Sequence, residues 1–155
     1  MIPLVNLTTF IPSLPPTTSF RVSIHSWTPP APSPMLQSIE PSPQNILFEA
    51  RVLLDGRCVA LSLFPSQGPW PQIIDWASFP SDVGVKSLLF PAFHNEILAQ
   101  NWWSAAESVG RIKVTIAEGV RRDMRDPPFV RFRNVATFSF QHAPISGSSP
   151  STDRL

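Results

Sequence analysis

The densest run of side chains able to do chemistry is Arg111, Lys113, Arg121, Arg122, Arg125, Arg131 and Arg133. With Glu118, Asp123 and Asp126 it leaves +4 between residues 111 and 133, against −3 over residues 1–110. Ten of the twelve cationic residues in the chain are arginine. The planar guanidinium fork suits paired bonds to carboxylate or phosphate. Strand alternation would project Arg111 with Lys113, and Arg131 with Arg133, from outward faces. One function for such a patch is binding nucleic acid or another polyanion. The competing reading is a solvated sheet face balanced by the three carboxylates. The small net charge of +1 and the absence of tyrosine for base stacking favour the second.

The remaining reactive groups are scattered. His25, His94 and His142 are the only histidines, and none is spaced with another histidine or a cysteine for zinc. His94-Asn95-Glu96 could set an imidazole beside a carboxylate, but a general base needs a partner and a pocket. Cys58 follows the basic Arg57, yet strand neighbours point to opposite faces, so nothing there lowers the thiol pKa. Six single glycines build no phosphate cradle, and no G-x-S-x-G or H-E-x-x-H occurs. The expectation is a protein that is not an enzyme and holds no metal or cofactor. Trp27, Trp70, Trp76, Trp102 and Trp103 could offer ring faces to sugars, but packing in a small core accounts for them more simply.

The elements that would carry these groups are punctuated by proline, 19 in 155 residues and more than twice the usual share of about 5%. Pro12 to Pro43 is the densest part and reads as neither helix nor central strand. Residues 1–18 read as a flexible leader, 19–144 as one domain, and 145–155 as a disordered tail. A single cysteine excludes an internal disulfide. No apolar run is long enough to span a membrane, and residues 1–20 lack the basic start of a secretory or transit peptide. An intracellular location is therefore expected.

Phe20 to Trp27 alternates with Phe20, Val22 and Ile24 on one face, the period of a half-buried strand. A proline loop follows to about Gln44. Residues 46–64 form the clearest unit: Asp55-Gly56 between two apolar runs specifies a type I′ hairpin. A two-residue loop pairs Leu54 with Arg57, Val52 with Val59, Ala50 with Leu61 and Phe48 with Leu63, which puts apolar residues on one face. Short strands are predicted near Ile73 and over 85–90. Residues 93–109, free of Gly and Pro, predict one or two short helices stopped by Gly110. Arg111–Ile116, Phe129–Phe132 and Val135–His142 complete the strands.

Strands in runs, without β-α alternation, predict a mainly β fold: an antiparallel, jelly-roll-like β-sandwich with the helical piece as a crossover. The segments FEARVLLDGRCVA (48–60), VGRIKVTIAEG (109–119) and FSFQHAP (138–144) resemble uncharacterised proteins of filamentous fungi, over roughly residues 20–144. That resemblance implies a β-sandwich-like domain of unknown function and brings no catalytic motif. Two functions remain: a non-enzymatic interaction domain for an unknown protein partner, or polyanion binding through residues 111–133.

Overall fold

A computed structural model describes residues 4–78, 87–94 and 109–144, which form a mainly β fold. The Asp55–Gly56 turn is dictated most directly by sequence. Its residues have φ of 51° and 83°, the left-handed pair that a type I′ turn requires. Strands β4 (Ile46–Leu54) and β5 (Arg57–Phe64) leave it antiparallel, with Leu54 opposite Arg57 as predicted.

One pair further, the register shifts. Leu53 faces Cys58 but Val52 faces Ala60, so Val59 is the extra residue of a β-bulge. The predicted pairs of Val52, Ala50 and Phe48 are each displaced by one. A one-residue slip exchanges the faces of a strand. Ala60 and Phe64 therefore enter the core, and Leu63 is exposed. Ser78 accounts for the bulge: its N–H donates to the Val59 carbonyl at 3.0 Å. Phe64 in its new place stacks on Phe48, ring centroids 6.0 Å apart.

Strands β8 (Arg111–Arg121) and β9 (Phe129–Ala143) add to β4, antiparallel throughout. The sequence reads β9 as two pieces because it bulges twice. Val135 and Phe132 lack partners where the β8 register shifts, and each breaks the alternation.

The expected leader is a strand. β1 (Val5–Pro12) pairs parallel with β9 from Val5–Ala136 to Pro12–Ala143. Residues Leu4 to Ile11 contain no proline, and Pro12 falls at the strand end, where a missing donor costs little. The sheet order is β1-β9-β8-β4-β5, a mixed sheet and not the purely antiparallel one predicted.

Two short ribbons cover one face. β2 (Ser19–Phe20) pairs with β7 (Leu88–Leu89), and β3 (Val22–Ile24) with β6 (Gln72–Ile74). The predicted strand at 20–27 thus breaks at Arg21, yet Phe20, Val22 and Ile24 all face the core as their alternation requires. The core includes Phe48, Val52, Leu88, Phe90, Ile112 and Val114. Each large apolar side chain buried there contributes about 1.5–3 kcal/mol.

The proline-rich stretch is also structured. Helix α1 (Pro34–Ile39) starts with Pro at its first position, where the absent N–H and fixed φ suit a helix start. The Ser33 hydroxyl caps it by accepting from the Leu36 N–H at 3.3 Å, a contact worth about 1 kcal/mol. Leu36 packs with Ile46 and Val120 in a second small cluster. The helical reading at 93–109 falls mostly on residues 95–108 and the tail on 145–155, outside the described residues. No described helix is long and apolar enough to cross a membrane.

Candidate functional site

The seven basic residues do not share one exposed surface. Arg111 is buried, and its Nε donates to the Gln141 side-chain oxygen at 3.1 Å. Lys113 is half-buried; burial, then the charge of Arg111, lowers its pKa. Arg131 reaches buried Glu49 at 2.6 Å, and Arg51 meets the same carboxylate at 2.8 Å. Arg133 pairs with buried Glu118 at 2.7 Å. The second Glu118 oxygen accepts the Ser33 N–H at 2.9 Å, which ties the cap of α1 to the sheet. Burial alone would raise the Glu118 carboxyl. The Ser33 and Arg133 bonds outweigh it and hold the group below its ordinary value. Arg121 ends β8, and Arg122 and Arg125 follow in the β8–β9 connection, next in sequence to Asp123 and Asp126; Arg121 and Arg125 are exposed and Arg122 is half-buried. Strand alternation misplaced Arg111 because the outward face of β8 is itself covered there. Glu49, a carboxylate from a distant strand, was not legible as the partner of Arg131.

The histidines go to three places. His25 bonds Ser23 at 2.9 Å on the surface. His94 lies 3.1 Å from Asp55, whose other oxygen accepts the Gly110 N–H at 2.7 Å. Asp55 therefore shapes its own turn and also anchors the start of β8. His142 is fully buried, edge-on to Phe90 at 4.9 Å, with Nδ1 2.9 Å from the Ser13 hydroxyl. Burial lowers its pKa; the Asp55 charge opposes that shift and His94 adds to it. These contacts pin the end of β1 and the β4–β5 turn to the ends of β8 and β9. They bring no nucleophile, base and open cleft together. Cys58 is a half-buried strand residue whose thiol meets the Ala60 carbonyl. Of the tryptophans, Trp70 packs edge-on to Phe64 at 5.4 Å, whereas Trp27 is fully exposed and Trp76 is 57% exposed. Core packing thus fails for Trp27, which leaves β3 for the proline loop. Trp102 and Trp103 lie outside the described residues.

The two edges of the sheet differ. At β5 the Ser78 side chain accepts from the Leu61 N–H at 2.8 Å and donates to the Leu61 carbonyl at 3.0 Å. With the Ser78 N–H on Val59, that edge is occupied around its bulge. At the other end no described strand lies beyond β1. β1 is exposed along most of its length, Phe10 at 73%, with Val5 and Leu7 about half-exposed. The first twenty residues contain no charged side chain and no histidine. Natural sheet edges are commonly blunted by charge, bulges or covering segments; β1 has only Pro12 at its end. Sequence reasoning missed this edge by reading proline content over the whole leader. The alternation of Val5, Leu7, Thr9 and Ile11 was the available signal.

On the ribbon side, Val114, Phe138 and Leu7 form one row across β8, β9 and β1. Val114, Phe138 and Phe140 floor a groove of about 300 Å³, walled by Val22, Ile24 and His25. Exposed Leu7 and Val5 continue this apolar surface to the open edge.

Among the described residues, fold and site define a mainly β domain, its sheet bonded by Ser78 around the β5 bulge and, at β1, apolar, uncharged and without a further strand. The chain belongs to the family of the domain of unknown function DUF8498, whose model matches residues 2–147 and so takes in β1. No curated protein and no solved structure matches the chain.

Proposed function

We propose that this domain is a non-catalytic protein-interaction module that takes an extended, uncharged segment of a protein partner along the open edge of β1. The observation that carries the reading is the contrast between the edges: Ser78 occupies β5, while β1 offers backbone groups and exposed apolar side chains with no charge. Strand addition supplies affinity through main-chain bonds and specificity through alternate side chains. Val5 and Leu7 would select apolar residues on the groove side, and Phe10 would cover the opposite face. The ribbons over the sheet serve as the second layer of a sandwich-like fold, which keeps the edge rigid and pre-organised.

Polyanion binding finds less support, because Arg131 and Arg133 are engaged by carboxylates and Arg111 is buried. Selection from a displayed library of random eight-residue peptides tests the reading. Enriched peptides should be uncharged with alternating apolar residues, bind with little salt dependence, and be lost on Leu7→Lys. Enrichment of acidic peptides, with steep weakening by salt, or binding indifferent to Leu7→Lys, would refute it.

A further inference from the structure

The parity of β1 defines what fits its edge. In a parallel ladder, alternate residues turn both backbone groups to one neighbour, and the residues between turn theirs away. The Ser13 N–H donates to the Ala143 carbonyl at 2.9 Å, one residue past the pair Pro12–Ala143. Odd-numbered residues of β1 therefore bond to β9. Asn6, Thr8 and Phe10 present their N–H and C=O groups to the open side. Pro12, which has no N–H to give, falls on the outward set, where β9 does not need one.

We infer that the edge is built for β1 of a second copy of this chain, joined antiparallel about a two-fold axis through Thr8. This deepens the proposed strand-addition reading and rests on it. With Thr8 at the axis, Thr8 pairs with Thr8 of the second copy, Asn6 with its Phe10, and Phe10 with its Asn6. These are the three outward residues, and each pair exchanges both backbone bonds. The next outward pair sets Leu4 against Pro12, where the missing donor ends the ladder. Moving the axis to Phe10 would set Thr8 against Pro12 and lose a central bond.

Charge favours the same occupant. In an isologous interface every residue meets its own kind or its symmetry mate, so a charge near the axis faces a like charge. At the axis a residue faces its own copy, so a charge there would repel itself; Thr8 is neutral and β1 carries no charge at any position. The threonine at the axis pairs hydroxyl with hydroxyl, a favourable cross-strand combination. On the groove side Leu7 meets Thr9 and Val5 meets Ile11, so the two half-exposed apolar side chains gain cover. The product is one continuous sheet through both chains.

The test is light scattering on the full chain over a dilution series, with Thr8→Pro and a register-specific crosslink. A mass near twice that of the chain is expected, falling to a single chain on dilution. Thr8→Pro should abolish association without unfolding, because the Thr8 N–H is not used by β9; a circular dichroism melt close to the parent checks this. Directly bonded antiparallel pairs have Cα atoms about 5.5 Å apart, within disulfide reach. In a Cys58→Ser background, Thr8→Cys should therefore crosslink to itself under mild oxidation, while Phe10→Cys should not. A dimer indifferent to Thr8→Pro, or crosslinking at Phe10→Cys in preference to Thr8→Cys, overturns the inference. A chain that stays monomeric yet still binds display-selected peptides in a Thr8-dependent way also overturns it, leaving the strand-addition reading standing. A monomer that binds no peptide ends both.

Discussion

The Glu49 carboxylate and the Arg131 guanidinium meet at 2.6 Å although β8 lies between their strands. Glu49 is opposite Ala117 and Arg131 opposite Gly119, so small residues on β8 leave the passage open. Glu49 is 3% exposed, and among the described residues this pair and Arg51 offset its burial. Both arginines are about one-third exposed, which screens each pair. Glu49→Ala should cost about 1–2 kcal/mol, with Arg131→Ala costing less. A double-mutant cycle by urea denaturation should show favourable coupling; additive effects would mean that the pair contributes nothing.

Gly119 should tolerate no side chain. A Cβ there would lie 2.3 Å from the Val130 carbonyl oxygen and 2.5 Å from the Phe129 ring. The carbonyl belongs to backbone paired in the ladder and cannot swing aside. Gly119→Ala should therefore lower stability by on the order of 2 kcal/mol, as overpacking does. A melting temperature equal to the parent would contradict this packing.

How much of this was legible in the sequence follows from what each signal depends on. Asp55-Gly56 set the turn because φ > 0 is a local requirement. The bulge at Val59 was invisible because its cause, Ser78, lies outside the hairpin. The facing of Phe20, Val22 and Ile24 was readable from period two, but their split between two ribbons depends on β6 and β7. Proline counting hid both β1 and α1, since a proline at a strand end or first helical position does no harm. The arginines were legible as an excess. Their partners Glu49 and Glu118 are set by sheet order, which one sequence does not display.

Removing β1 should be costly, against the expectation that residues 1–18 are a flexible leader. A chain shortened to 19–144 loses the β9 pairing, the packing of Ile11 and the Ser13–His142 contact. We expect a loss of about 2–4 kcal/mol from these together. Equal denaturant midpoints for the short and full chains would show that β1 adds nothing to the fold.

Acid should weaken the fold through His142. Its folded pKa lies below the ordinary 6.5 because burial penalises the imidazolium. The unfolded chain therefore binds the proton more readily. The stabilisation is complete above 6.5 and is lost as pH falls from there through the lowered folded value. Glu118, also lowered, adds its own loss further into the acid range. Melting temperature should drop between about pH 7 and pH 5, and His142→Gln should flatten that drop. An unchanged slope in the variant would assign it to other groups.

β1 has one bonded side and one side turned away from β9, and amide hydrogen exchange reads the difference residue by residue. In the dilute chain the N–H groups of Leu7, Thr9 and Ile11 should be protected, and those of Asn6, Thr8 and Phe10 should exchange quickly. Raising the chain concentration, or adding a peptide selected by display, should slow the even-numbered set and leave the odd-numbered set unchanged. Even-numbered amides already protected in the dilute monomer, or unaffected by any added strand, would mean that β1 has no side that accepts a further strand.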